Sequence, residues 1–144
     1  MARVLGIDLG SRRIGLAVSD GLGLTAQPRE TVARHGGTRD IESIAAAVKD
    51  SGADRIVLGL PIDPEGGEGP AARRARDFAA KLVAALHLPV DLIDESFSTV
   101  EAEAVLLAAD VSRAKRKQVI DKLAAAVILQ RWLDRRSDPV KEKP

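Results

Sequence analysis

The sequence predicts an α/β protein with a five-stranded mixed sheet and helices on both faces. Three observations lead to this prediction. Strand-like segments open the chain, strands and helices alternate after them, and 144 residues suffice for one domain with one core. We expect that domain to span residues 1–136 and to be followed by a polar tail over residues 137–144.

The first half of the chain is predicted to form a three-stranded meander and then a helix. Strands over residues 4–9 and 14–19 flank a short turn, so they are expected to pair antiparallel. A third strand covers residues 25–32, and Pro28 restricts it to an edge of the sheet because proline lacks a backbone donor. The helix follows over residues 38–51, with its first residue as the N-cap.

The second half is predicted to alternate helices with two parallel strands. The apolar run at residues 55–60 is typical of a buried strand. Pro70 suits the first turn of a helix, and Ser-Thr-Val-Glu at residues 98–101 matches a capping box. The predicted elements are a strand over residues 55–60, a helix from Pro70 that ends before Pro89, a strand over 90–94, a helix over 98–109 and a final helix over 112–136.

Missing and rare residue types exclude several functions. The chain has no cysteine, which excludes disulfides, thiolate metal sites and a cysteine nucleophile. It has no tyrosine, and two phenylalanines and one tryptophan are too few for an aromatic stacking platform. It contains neither a Gly-x-Ser-x-Gly motif nor a P-loop. Without a signal peptide or a long apolar segment, we expect a soluble, cytoplasmic protein with no membrane partner.

Charge is distributed unevenly along the chain. The formal net charge is +1, but residues 1–110 contain 12 basic and 17 acidic residues, whereas residues 111–144 contain 10 and 4. The two parts therefore carry net charges of −5 and +6. This asymmetry is typical either of a solvated basic helix and tail or of a surface that binds a polyanion.

Three acidic residues approach the predicted core from different elements. Asp8 lies within the first apolar strand, and Glu95 follows the last one. Asp121 lies in the final helix, on the stripe expected to face the sheet, with Ala124, Ala125, Ile128 and Trp132 at helical spacing. Each acid also has an ordinary explanation: a turn or cap residue for Asp8, an exposed loop acid for Glu95, and an ion pair with Lys117 or Lys122 for Asp121.

Carboxylates that gather in a partly buried place repel one another and lose hydration, and a divalent cation offsets both costs. Mg²⁺ and Mn²⁺ prefer oxygen ligands, usually a few carboxylates with water and substrate phosphate. Two such ions about 3.5–4 Å apart support phosphodiester hydrolysis without a covalent intermediate. The three acids therefore indicate a metal site, provided that the fold brings them together.

Four ordered segments together resemble the YqgF (RuvX) family, whose bacterial members are described as Holliday junction resolvases or pre-16S rRNA nucleases with an RNase H-like fold. The segments are GIDLGSRRIGLAVSD at residues 6–20, GLP at 59–61, DESFSTVEA at 94–102, and DKLAA with ILQ and Leu133 in the final helix. The resemblance runs from residue 3 to about residue 136. One position departs from the family pattern, because Ser96 stands where an arginine is expected.

The resemblance implies that Asp8, Glu95 and Asp121 are the catalytic, metal-binding acids of a nuclease. They would hold two Mg²⁺ or Mn²⁺ ions, with Asp8 bridging them. The implied substrate is nucleic acid, either branched DNA at a four-way junction or structured RNA at the 5′ end of a ribosomal precursor. A junction resolvase is expected to be a homodimer, because two symmetric cuts need two sites.

Basic residues at two places are predicted to contact the nucleic-acid backbone. A cluster opens the final helix, where positive charge opposes the helix dipole and phosphate recognition would explain its presence. Two more follow Asp8 in the first turn. The predicted contacts are Arg113, Lys115, Arg116 and Lys117 in the helix, and Arg12 and Arg13 in the turn. Phe97 is either a base contact or a core residue.

Two alternatives to a nuclease follow from the same residues. One is a non-catalytic RNA-binding module in ribosome assembly, for which metal and Asp8 would be dispensable. The other is an ATP-binding domain of the actin and hexokinase type, since Gly-Ile-Asp-Leu-Gly-Ser also resembles the first phosphate motif of that superfamily. Such enzymes need two domains that close over ATP, which 144 residues do not supply.

Overall fold

The computed structural model describes residues 3–63, 65–95 and 113–137, with side chains described outside 113–122 and 137. The elements are β1 (Arg3–Leu9), β2 (Arg13–Ser19), β3 (Ala26–Ala33), α1 (Gly37–Ser51), β4 (Ala53–Leu60), α2 (Pro70–Leu86), β5 (Val90–Asp94) and α3 (Arg113–Ser137). The predicted helix over 98–109 and most of the predicted tail lie outside these residues, and the domain limits stay a prediction. No helix in the described ranges is long and apolar enough to span a bilayer.

The five strands form one mixed sheet in the order β3-β2-β1-β4-β5. The β1, β2 and β3 strands pair antiparallel, and the β1–β4 and β4–β5 pairs are parallel. The predicted meander and the two parallel strands are thereby confirmed. The β3 strand lies at an edge, as Pro28 predicts, and its ladder with β2 is irregular between Gly15 and Ala17.

Helices cover both faces of the sheet, because successive strand side chains alternate between two apolar layers. Helices α1 and α2 cover one face, where Ile44 and Leu82 are buried with Leu5, Ile7 and Leu58. Helix α3 covers the other face. The residues of that second layer are Val4, Ala17, Val57, Ile93, Ala125, Ile128, Leu129 and Leu133. The prediction that helices lie on both faces is confirmed.

The start of α1 differs from the prediction. Gly36, and not Thr38, is the N-cap, and no side chain at the cap position bonds to the helix. Asp40 lies in the first turn and reaches back instead, accepting hydrogen bonds from the backbone N–H of His35 at 2.8 Å and of Gly36 at 3.0 Å. The helix therefore begins earlier because a buried carboxylate one turn inside it satisfies the donors before it.

Candidate active site

Two of the predicted acids meet at the carboxyl edge of the parallel strands. Asp8 is next to the last residue of β1, and Glu95 directly follows β5. The intervening strand, β4, ends at the same edge, since Leu60 pairs with Asp94. The backbone N–H of Glu95 also donates to the carbonyl of Leu60 at 3.1 Å, which extends the ladder by one residue. Asp8 and Glu95 therefore flank the end of β4.

Both acids project from the face that α3 covers. Side chains two residues apart along a strand share a face, so Asp8 lies on the side of Val4, and Glu95 lies on the side of Ile93. Val4 and Ile93 belong to the apolar layer beneath α3. The two side chains contact each other, since Glu95 shares a hydrogen bond with Asp8. The sheet thus places two carboxyl groups together at the rim of a hydrophobic core.

Burial and like charge strongly perturb Glu95. Desolvation, which is the largest cause, acts together with the negative charge and hydrogen bonding of Asp8 and the charge of Asp94 to raise the pKa of Glu95 from 4.5 to about 8. Its Oε2 atom is buried and has no hydrogen-bond partner in the described structure. A buried acceptor without a donor, beside a second carboxyl, fits a cation ligand better than a packing residue.

The space that the Glu95 side chain occupies depends on Gly59, the first residue of the Gly-Leu-Pro motif. A β-carbon built on Gly59 would overlap Oε2 of Glu95 and lie 2.7 Å from Cδ1 of Ile128. Only a glycine lets the carboxyl group and helix α3 approach β4 this closely. The sequence signal was available, because glycine inside an apolar strand often marks a close approach.

The third acid, Asp121, lies in the backbone range of α3, but its side chain lies outside the described part. The helix itself crosses the site: Ile128 reaches Gly59, and the carbonyl of Ala125 would lie 3.2 Å from a β-carbon on Gly6. Among the side chains that are described, no three acidic or histidine residues are grouped to hold a metal ion. The structure therefore brings Asp8 and Glu95 together, and the metal-binding assignment of Asp121 stays a prediction.

The predicted basic residues likewise form two groups, one with described side chains and one without. Arg12 lies exposed in the turn that follows β1, the strand of Asp8, and Arg13 is half-buried at the first position of β2. The backbone of α3 begins at Arg113, so the other basic cluster occupies its first turns. The side chains of that cluster, Arg113, Lys115, Arg116 and Lys117, lie outside the described part of the chain, as do Ser96 and Phe97.

A buried ion pair holds the turn that carries Arg12. Arg34 donates from Nη1 to the carbonyl of Gly10 at 2.8 Å, and its backbone N–H donates to the carbonyl of Arg12 at 2.9 Å. Its Nε lies 3.4 Å from Oδ2 of Asp40, which is only 2% exposed. No sequence signal pointed to this pair, because neither Arg34 nor Asp40 belongs to a recognised motif.

Comparisons with known proteins assign the chain to a family. The RuvX family, described as Holliday junction resolvase, matches residues 2–135. Proteins named "Putative pre-16S rRNA nuclease" from Geobacillus kaustophilus and Anaeromyxobacter dehalogenans are 52% and 50% identical to it. The alignments cover 92% and 94% of this chain and 97% and 98% of those relatives.

Solved structures share the fold at low sequence identity. Thermus thermophilus RuvC in complex with a Holliday junction superposes with a TM-score of 0.56 at 17% identity, over 93% of this chain and 95% of that one. The fowlpox virus resolvase, solved with junction DNA, gives a TM-score of 0.59 at 10% identity, over 94% and 99%. These similarities confirm the predicted RNase H-like fold. The family match over nearly the whole chain, with relatives about half identical, shows that the protein belongs to the RuvX family.

Proposed function

We propose that the protein is a metal-dependent endonuclease that hydrolyses phosphodiester bonds in nucleic acid. The observation that carries this proposal is the half-buried pair Asp8–Glu95, in which Glu95 has a raised pKa and a buried Oε2 atom without a hydrogen-bond partner among the described residues, as suits a cation site. The names of relatives about half identical to this chain point to the same activity.

Asp8, Glu95 and Asp121 would hold Mg²⁺ or Mn²⁺, since all three offer the hard oxygen ligands that these ions prefer. A pair of divalent cations supplies positive charge to both the attacking and the leaving oxygen of the phosphodiester. Glu95 must give up its proton to act as a ligand, so cation binding at neutral pH releases a proton from this carboxyl. Gly59 keeps the space that the Glu95 carboxyl occupies, and the apolar layer under α3 excludes water behind it.

Substrate binding would rest on charge and shape. Arg12 is exposed in the turn that follows β1, the strand of Asp8, so we propose that it contacts a phosphate near the cleaved bond. We propose that Arg13 and the basic first turns of α3 (Arg113, Lys115, Arg116 and Lys117) contact the same strand, with Phe97 next to a base. These contacts suit a structured nucleic acid. We propose that the protein binds it in the cytoplasm.

The substrate that the comparisons favour is pre-16S rRNA, because the relatives about half identical to this chain carry that name. We propose that its 5′ end is the site of cleavage. A four-way DNA junction is the second candidate, favoured by the description of the family. The two candidates differ in assembly, since symmetric cutting of a junction requires a homodimer with two sites.

The test is cleavage of end-labelled pre-16S RNA, a four-way junction and single strands by the full chain in Mg²⁺, Mn²⁺ or EDTA. We expect Asp8→Asn, Glu95→Gln and Asp121→Asn each to lower the rate by about 100-fold or more, because each removes a charged cation ligand. Asp54→Asn is the matched control, since Asp54 is exposed at the amino end of β4, opposite the site.

Two results would contradict the proposal. Cleavage that persists in EDTA would exclude a metal-dependent reaction. Tight RNA binding without any cleavage, unchanged in Asp8→Asn, would instead identify a non-catalytic ribosome-assembly module. Sedimentation of the protein alone and with each nucleic acid tests for the homodimer expected of a resolvase.

A further inference from the structure

A second charged surface lies beside edge strand β5, away from the acid pair. An open cavity of about 430 Å³ is lined there by Arg55, Asp91, Trp132, Arg135 and Arg136. We call this surface the distal arginine pocket. Its residues come from β4, β5 and the last two turns of α3, so only the tertiary fold assembles it.

The tryptophan ring at its centre is held in place from three directions. Nε1 of Trp132 donates to Oδ2 of Asp91 at 3.0 Å, and Nη1 of Arg55 lies 3.0 Å from the same oxygen. The guanidinium groups of Arg55 and Arg136 lie 5.9 Å and 5.1 Å from the ring centroid. These stacked and bridged groups are preorganised, because binding would cost them little further side-chain entropy.

The pocket carries excess positive charge. Three arginines face one carboxylate, and neither Arg135 nor Arg136 forms an ion pair within the described part of the chain. Attraction to the helix dipole accounts for two arginines in the last turn of α3. It does not account for Arg55, which extends from a different element to the same ring. A planar, multiply charged surface of this kind matches phosphate groups and an adjacent base or sugar.

The distal arginine pocket and the acid pair lie at two positions along the same strand, β5. Asp91 and Glu95 are four residues apart along β5, a distance of about 13 Å at 3.3 Å per residue. Arg131 lies between them, with Nη1 donating to the carbonyl of Asp94 at 3.2 Å. A nucleic-acid strand advances about 3.4 Å per nucleotide along a helix axis, so this distance corresponds to about four nucleotides.

We propose that the distal arginine pocket binds the phosphodiester backbone of the substrate about four nucleotides from the cleaved bond. This inference rests on the proposed nuclease function and extends it, because none of the pocket residues belongs to the predicted catalytic or basic clusters. Recognition is through phosphate charge, so RNA and DNA both qualify as the source of the phosphate.

The test compares the double variant Arg135→Gln/Arg136→Gln with Arg73→Gln/Arg74→Gln. The control removes the same charge from two adjacent, exposed arginines of α2 on the opposite face of the sheet. Affinity is measured in EDTA for a structured RNA and a four-way junction between 50 and 200 mM salt (about the range over which phosphate contacts are resolved). We expect the pocket variant to lower the salt dependence by about one to two phosphate contacts, and the control to retain the wild-type slope.

Two further measurements locate the contact. Binding should change the fluorescence of Trp132, the only tryptophan in the chain, and the pocket variant should lose that change. Substrates whose arms end fewer than about four nucleotides from the cut should bind wild-type and variant protein equally. Whichever polymer, RNA or DNA, shows the reduced slope identifies the source of the phosphate.

Equal salt slopes for the pocket variant and wild type on both polymers would overturn the inference. So would a pocket variant that only lowers the melting temperature, since this result would assign the arginines to helix stability. Failure of the proposed function is a separate result, because it appears as absence of metal-dependent cleavage by the wild-type protein on every substrate.

Discussion

At the scale of single residues, Glu95 departs furthest from ordinary protein chemistry. Its Oε2 atom is buried and receives no hydrogen bond from any described residue, while Asp8 forms a hydrogen bond with the Glu95 carboxyl group and repels its negative charge. Folding therefore protonates this carboxyl at neutral pH in the absence of a cation. Burying such a group costs free energy, and cation binding at the proposed site would offset that cost.

The raised pKa of Glu95 predicts a pH-dependent stability. In EDTA, the folded protein keeps a proton on Glu95 up to about pH 8, whereas the unfolded chain releases it near 4.5. The free energy of unfolding should therefore fall as pH rises from 4.5 to 8, by about 1.4 kcal/mol for each pH unit at most. Glu95→Gln should remove most of this fall, and urea titrations at pH 5, 6, 7 and 8 (values chosen to span about that window) measure it.

The exposed Glu42 supplies the control for this prediction, since Glu42→Gln should leave the wild-type pH dependence intact. Parallel stability curves for wild type and Glu95→Gln would show that Glu95 has an ordinary pKa in the folded protein. Added Mg²⁺ should flatten the wild-type curve, because cation binding favours the ionised carboxyl.

At the scale of elements, the close packing of α3 on β1 and β4 shapes the site. A β-carbon on Gly6 would lie 2.8 Å from Cβ of Leu129, and one on Gly59 would meet both Glu95 and Ile128. The helix therefore packs against strand backbone at two glycines, one on β1 and one on β4, and both of these strands end at the acid pair. Helix position and carboxyl position are thus coupled through the same small residues.

Gly59→Ala tests this coupling. The added methyl group must displace the Glu95 carboxyl or Ile128, so we expect a loss of about 1–3 kcal/mol in unfolding free energy and a marked loss of metal-dependent cleavage. Gly67→Ala is the control, because nothing lies within 4 Å of its β-carbon. It should change stability by less than about 0.5 kcal/mol. Normal cleavage by Gly59→Ala would show that the carboxyl tolerates displacement.

The beginning of α1 shows why element boundaries were harder to predict than elements. Thr38 has the residue type of an N-cap, so local preference placed the helix start there. The helix begins earlier, at Gly37, because the buried carboxylate of Asp40 lies against Arg34 and accepts hydrogen bonds from two N–H groups that precede the helix. That interaction requires the chain before the helix to fold back over the Gly10 turn, which no local rule describes.

At the scale of the whole molecule, α3, which comes last among the elements, packs on strands from the first part of the chain. Its apolar side packs on β1, β2, β4 and β5, and Gln130 reaches the start of β3. The Gln130 amide accepts from the N–H of Ala26 at 2.9 Å and donates to the carbonyl of Leu24 at 3.0 Å. The helix therefore binds the sheet from the edge strand β3 to the acid pair, and it carries Trp132 as a natural probe.

This arrangement predicts one cooperative unfolding transition for the proposed single domain. Fluorescence of Trp132 reports the packing of α3 on the sheet, whereas far-ultraviolet circular dichroism also reports α1 and α2 on the other face. Both signals should give the same urea midpoint, because a domain of this size usually unfolds in one step. An earlier loss of tryptophan fluorescence would show that α3 detaches before the rest, and the single-domain assignment would then be wrong.

The sequence by itself determined the strand order along the chain, the two apolar layers and the acids Asp8 and Glu95, because hydrophobic periodicity and an acid in an apolar strand are local signals. Family motifs added the nuclease assignment. Only the tertiary structure shows that Oε2 of Glu95 has no hydrogen-bond partner among the described residues and that Gly59 leaves space for this carboxyl group. It also shows that Arg34 donates a hydrogen bond to the turn that follows β1. It also assembled Arg55, Trp132 and Arg136 into one surface. These features depend on contacts between residues tens of positions apart, and such contacts exist only once the sheet and helices have packed.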